Sequence, residues 1–115
     1  MLAKKWQATV VISGKTDIIT DGSRTMHIHN GCPEMSDITG SGCMCTTLVG
    51  AFVGAHPEDP FGASAAAMLS MGIAGERAWK SYGHQGLGHF HMGILDELGR
   101  MSASVMEAEG RYDIL

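Results

Sequence analysis

The chain has 115 residues, 44% of them apolar, and carries a formal net charge of −4. That size and balance fit one globular domain, and the negative charge argues against a nucleic-acid partner. No apolar run is long enough to cross a membrane, and the three cysteines make an odd, poorly spaced disulfide framework that points to a reducing, cytoplasmic setting.

Lys4 and Lys5 are followed by Trp6 and Gln7 rather than by an unbroken apolar stretch, so no signal peptide is expected. Residues 8–12, β-branched and apolar on consecutive positions, predict a strand covered on both faces, as in a parallel sheet. Residues 17–20 predict a second strand, Asp21-Gly22 a tight hairpin turn that needs positive φ, and residues 24–29 the returning strand. In that strand Met26 and Ile28 face one way, and Thr25, His27 and His29 the other. Residues 30–37, with Gly31 and Pro33, read as a loop.

A helix over residues 42–55 is apolar nearly all round, with Met44, Leu48 and Phe52 on one stripe, and is expected to be buried. His56-Pro57 ends it. Asp59 and Pro60 supply the N-cap and first position of the next helix, residues 60–81, whose alanines and glycines allow close packing. A third helix, residues 89–109, carries the stripe Phe90, Ile94, Leu98, Met101 and Val105, with Asp96, Glu97 and Arg100 on its solvated side. Residues 111–115 read as a frayed tail. One strand and two helices with so little polar surface call for cover that the chain does not supply, which predicts that it is part of a larger sheet.

Ile38-Thr39-Gly40-Ser41-Gly42-Cys43 opens the first long helix. Glycine backbone at a helix N-terminus turns several N–H groups to one spot, and the helix dipole adds positive potential there, which suits an anion such as phosphate. Cys43 falls in the same first turn, where the field favours an anionic side chain, and is a candidate for chemistry. The plainer readings are a glycine turn before a helix and an inert buried thiol. Cys45, two residues on, points about 200° away and reads as core.

At these residues the chain resembles the hydroxyethylthiazole kinase family. The likeness runs from Val11-Ile12-Ser13-Gly14, Asp17 and Thr20-Asp21-Gly22 through Asn30-Gly31 and the glycine-cysteine motif to Gly72-Ile73-Ala74-Gly75-Glu76 and Leu95-Asp96-Glu97-Leu98. Related sugar and vitamin kinases usually place aspartate where Cys43 stands. The resemblance implies an α/β fold, the C-terminal part of a ribokinase-like α/β/α sandwich: a buried strand and an edge hairpin followed by three helices. Residues 1–110 would form the C-terminal half of the kinase domain, and residues 111–115 the tail.

It further implies transfer of the γ-phosphoryl group of ATP to the hydroxyl of 4-methyl-5-(2-hydroxyethyl)thiazole, in thiamine salvage. Gly40, Ser41, Gly42 and Cys43 would hold the developing phosphoryl charge through their backbone N–H groups, and Cys43 would orient or accept the alcohol proton. Gly40 would also touch the alcohol, and Ser13 would contact ATP. The magnesium ligands are expected mainly in an N-terminal half without counterpart here, so the chain is expected to need that half. The family implies a homotrimer with no nucleic acid or membrane partner. Ser41 stands where threonine is more usual. A reading from another class is a non-catalytic remnant or a nucleotide- or partner-binding module.

The histidines, His27, His29, His84, His89 and His91 among them, show neither the i, i+4 pairing nor the cysteine pairs of a structural zinc site and read as surface residues. Glu76, Asp96 and Glu97 read as solvated helix charges.

Overall fold

The computed structural model describes residues 2–37 and 40–115. A short helix α1 (Leu2–Trp6) precedes three strands, β1 (Val10–Ile12), β2 (Asp17–Thr20) and β3 (Thr25–Ile28). A 3-10 turn (Pro33–Asp37) then leads to α2 (Ser41–Ala55), α3 (Pro60–Tyr82), α4 (Leu87–Gly99) and α5 (Ala103–Glu109), and β4 (Tyr112–Ile114) closes the chain. The four strands form one sheet in the order β1-β2-β3-β4, antiparallel at every pairing.

The hairpin forms where Asp21-Gly22 predicts it, but one residue later in detail. The Asp21 N–H donates to the Arg24 carbonyl at 3.2 Å, so Gly22 and Ser23 are the central residues, and positive φ in the turn is confined to Gly22 (94°). That is the pattern of a hairpin turn with glycine first. The half-buried Asp21 carboxylate accepts the Arg24 and Ser23 N–H groups, which, with the Arg24 guanidinium, hold it down at about 2.

Helix α3 is the spine of the core. Asp59 caps it as expected, its Oδ1 accepting the Gly62 N–H at 3.1 Å, with Pro60 in the first turn. It lies between the sheet and the pair α2 and α4. Toward the sheet, Phe61, Met68, Leu69 and Ile73 pack with Ile19 and Ile28; toward α4, Met71, Ala74 and Ala78 pack with Phe90 and Ile94. The small residues permit close approach: a Cβ on Gly72 would stand 2.8 Å from the Asn30 Cβ and 2.9 Å from its carbonyl carbon and oxygen.

Four expectations need correction. Strand β1 is neither parallel nor buried: among the described residues it pairs with β2 alone, antiparallel, and Ile12 is 55% exposed. Helix α2 has no buried residue among those whose side chains are described, because α3 is its one substantial neighbour and, among the described residues, a Cβ at Gly50 or Gly54 on its outer face would meet nothing. The expected third helix breaks after Gly99; Ser102 adopts extended backbone and caps α5, its Oγ accepting the Val105 N–H at 3.3 Å. The tail is not frayed but adds β4 to the β3 edge, with the Leu115 N–H donating to the Thr25 carbonyl at 2.7 Å.

Two of the charges read as solvated are also embedded in pairs. Glu97 is 7% exposed and accepts from Arg77 at 2.9 Å, while Glu76 takes donors from Asn30 and Arg111. Asp96 is exposed. Among the described residues no helix is long and apolar enough to cross a membrane.

Candidate functional site

The loops at one end of the sheet and the first turn of α2 enclose a cleft of ≈ 870 Å³. Ser13 and Gly14 reach it from the turn after β1, Asp17 from the start of β2, Asn30 from the end of β3, and Gly42 and Cys45 from α2, with Met68 and Met71 of α3 also lining it. The antiparallel register causes this convergence, because the end of β1, the start of β2 and the end of β3 lie at the same edge.

Gly40 is the N-cap of α2, in left-handed backbone (φ 89°, ψ 3°) and without a side-chain cap. An L side chain there would be strained, whereas glycine is at ease. The Gly40 carbonyl receives the first intrahelical bond, from the Met44 N–H at 2.9 Å. The N–H groups of Ser41, Gly42 and Cys43 consequently have no acceptor within the helix. Among the described residues, a Cβ built on Gly40 or Gly42 would meet nothing within 4 Å. Three donors without an acceptor inside the helix, at the positive end of a 15-residue helix, suit a phosphoryl group. Ile38 and Thr39, the first residues of the motif, lie outside the described residues.

The sequence-expected residues do not all meet at one wall. Ser13 and Gly42 share the cleft. Cys43 is exposed and lies one step round the helix, beside a shallow apolar groove of ≈ 370 Å³ with Leu48, Ala51, Leu95 and Leu98. Cys45, like Cys32, lines the cleft; it is half-buried and packs on both core clusters. The opposite placement of the two thiols follows from about 200° of helix rotation. Burial, and after it the charge of Asp17, pushes the Cys45 thiol up, and burial, with Glu34 beside it, pushes Cys32 up to about 11. Both are therefore protonated at neutral pH. Among the described residues no three histidine, cysteine, aspartate or glutamate side chains are placed to hold a metal ion. A helix start of this kind suits a phosphate group.

Two site residues were read only as structure in the sequence. Asp17, which the sequence pattern places at a strand start, is 9% exposed, and its Oδ1 accepts the Gly14 N–H at 3.0 Å. The signal was available, since an aspartate three residues from a glycine in a turn is the spacing of a side-chain-to-backbone bond. Asn30, taken as loop, is 4% exposed and ties the cleft rim to α3 and to the chain end.

Burial raises the Asp17 carboxyl above its ordinary value, and the Gly14 N–H offsets that only in part. The native state then holds this proton more tightly than the unfolded chain does. Its contribution to stability falls as pH rises from the unfolded value through the raised folded one, and at neutral pH the charge is a net cost. Asp17→Asn is expected to raise the melting temperature at about pH 7 and to leave it unchanged near pH 3, where the carboxyl is neutral in both states. A thermal melt at the two pH values checks this.

The comparisons with known proteins agree with one another. A model described as the hydroxyethylthiazole kinase family matches residues 1–104. A hydroxyethylthiazole kinase of Clostridium beijerinckii is 45% identical over 106 residues, which make up 92% of this chain and 38% of that protein. One of Rhizobium johnstonii is 41% identical over 110 residues, 96% of this chain and 40% of its own length. A solved structure described as hydroxyethylthiazole kinase protein from Pyrococcus horikoshii superposes with a TM-score of 0.90 at 32% identity, covering 98% of this chain and 43% of that one. The chain therefore spans well under half the length of the proteins it matches.

Proposed function

The chain belongs to the hydroxyethylthiazole kinase family, and from that membership we propose that it supplies the phosphoryl-transfer half of an enzyme that moves the γ-phosphoryl group of ATP to the hydroxyl of 4-methyl-5-(2-hydroxyethyl)thiazole, a step of thiamine salvage. The observation that carries the reading is the start of α2, where three N–H groups without an acceptor inside the helix follow a left-handed Gly40. Phosphoryl transfer asks for positioning and charge stabilisation more than for covalent help.

In this reading the N–H groups of Ser41, Gly42 and Cys43 receive the oxygens of the transferring phosphoryl. A preorganised donor of this kind is typically worth roughly 10²–10³ in rate. The backbone at Gly40 approaches the alcohol, and the exposed Cys43, as thiolate, orients its hydroxyl and takes up its proton as the new O–P bond forms and the bond from the γ-phosphorus to the β-phosphate oxygen breaks, releasing ADP. Ser13, at the end of β1, contacts the nucleotide from the far wall of the cleft, as ligands do at the ends of sheet strands. Magnesium, held by the N-terminal half of a full-length protein, neutralises phosphate charge when bound. That half also covers what is bare here: the free edge of β1 with its exposed Ile12, and the outer face of α2. The assembled enzyme is cytoplasmic and homotrimeric.

Ligand-induced stabilisation tests the reading. The chain, mixed with the N-terminal portion of the Clostridium beijerinckii relative, is titrated with Mg·ATP and separately with the thiazole alcohol. Each ligand at 100 times its dissociation constant is expected to stabilise the pair by about 2.7 kcal/mol, seen as a rise in melting temperature. Stabilisation by neither contradicts the proposal, and stabilisation by ATP alone favours a nucleotide-binding module without the kinase's alcohol site.

A further inference from the structure

Asp17 has a combination of properties that packing does not explain. It is 9% exposed, begins β2 at the wall of the cleft, and among the described residues pairs with no lysine, arginine or histidine. A buried carboxylate without a cation works against stability. An apolar β-branched residue would serve the strand better. What the carboxylate does make is one bond, from the Gly14 N–H to its Oδ1 at 3.0 Å.

That bond spans the turn between β1 and β2. Ser13, Gly14, Lys15 and Thr16 all line the cleft, and all but Thr16 are exposed. The glycine at the second position leaves the turn free to adopt many shapes, and no strand bond holds residues 13–16. A charged acceptor makes a bond roughly twice as strong as a neutral one, which suits a single clasp on an otherwise loose turn.

We propose that Asp17 is a positioning residue for the nucleotide: by clasping the Gly14 N–H it fixes the turn that carries Ser13 to the cleft wall, so that the turn meets the nucleotide already in its bound shape. The inference rests on the kinase reading, in that the ligand it serves is the ATP of that reading. It assigns to Asp17 no contact with the alcohol and no share in the proton transfer.

The test uses the chain assembled with the N-terminal portion of the Clostridium beijerinckii relative, as wild type, Asp17→Ala and Asp17→Asn. ATP affinity is measured by equilibrium titration, and turnover in the same preparations. Loss of the clasp in Asp17→Ala is expected to weaken ATP binding about tenfold while affinity for the thiazole alcohol changes by less than about twofold. Asp17→Asn keeps an oxygen that can accept the Gly14 N–H and is expected to recover most of the lost ATP affinity, a rescue that a purely charged contact would not show. An ATP affinity unchanged in Asp17→Ala, or Asp17→Asn as weak as Asp17→Ala, overturns the proposal. Turnover separates it from the kinase reading: wild type that binds ATP in a clasp-dependent way but transfers nothing sinks the kinase reading and leaves the clasp standing. Wild type that binds no ATP sinks both.

Discussion

Replacing Asn30 with alanine is expected to lower the stability of the fold by about 3 kcal/mol. Asn30 is 4% exposed, and its side chain makes three bonds, one to α3 and two to the chain end. Its Nδ2 donates to Glu76 Oε1 at 2.7 Å and to the Glu109 carbonyl at 2.9 Å, and its Oδ1 accepts the Arg111 N–H at 2.6 Å. Each neutral bond contributes about 1 kcal/mol net, and a bond to a charged group more. Alanine also leaves the Glu109 carbonyl and the Arg111 N–H, both at the chain end, without this partner. Denaturant unfolding checks the expectation, as a lower midpoint with an unchanged slope. A loss below about 1 kcal/mol would show that water replaces the amide at little cost. Since Asn30 also forms part of the cleft rim, the same substitution is expected to loosen the wall opposite Ser13.

Asn30 also shows where the sequence was legible and where it was not. Elements governed by local chemistry could be read directly. The Asp59-Pro60 start of α3, the Gly22 turn and the Phe90 and Ile94 stripe of α4 depend on neighbours within a few residues, and each stands where its pattern puts it. Elements governed by distant partners could not. The bonds from Asn30 to Glu109 and Arg111 join residues about 80 positions apart in sequence, and they convert an apparent tail into β4. Glu97 has the composition of a solvated helix charge, and only the return of α4 beside α3 places Arg77 against it.

The apolar character of β1 and α2 was visible, but not which surface would cover them; among the described residues α3 meets only one side of α2, and Ile12 of β1 stays exposed. For the site, the glycine run before α2 was legible because a free helix end is a local property. The placement of Cys45 rather than Cys43 on the cleft depends on the face by which α2 meets α3, which periodicity leaves undetermined when every face is apolar.

Cys43 carries the largest expected effect on chemistry. In the assembled pair, Cys43→Ala is expected to lower kcat by about 10²–10⁴, the usual range for removal of a general acid or base, with the ATP dissociation constant little changed. Cys43 is exposed in the first turn of α2, the turn whose N–H groups have no acceptor inside the helix, and in the proposed reading it meets the alcohol there. Cys45→Ala is the control. That thiol is half-buried, is raised by burial and by Asp17, and packs on the core, so its loss is expected to act on stability and to leave kcat within about threefold. If the two variants change places, with Cys45→Ala the inactive one, the cleft-facing thiol is the reactive one and the assignment of Cys43 is wrong. Cys43→Ser adds a graded test, because a hydroxyl retains the hydrogen bond to the alcohol but takes up a proton less readily.

The central claim is that this chain contributes the transferring half of a phosphotransferase site, and a single-turnover experiment reads it most directly. The chain, its N-terminal counterpart from the Clostridium beijerinckii relative, magnesium, the thiazole alcohol and ATP labelled in the γ-phosphate are combined with protein in excess over nucleotide. The account predicts that the label appears in the phosphate ester of the alcohol, only when both polypeptides are present, and that Gly40→Val in this chain suppresses it. Label released solely as inorganic phosphate, or an ester formed equally well by the N-terminal counterpart alone, would contradict it.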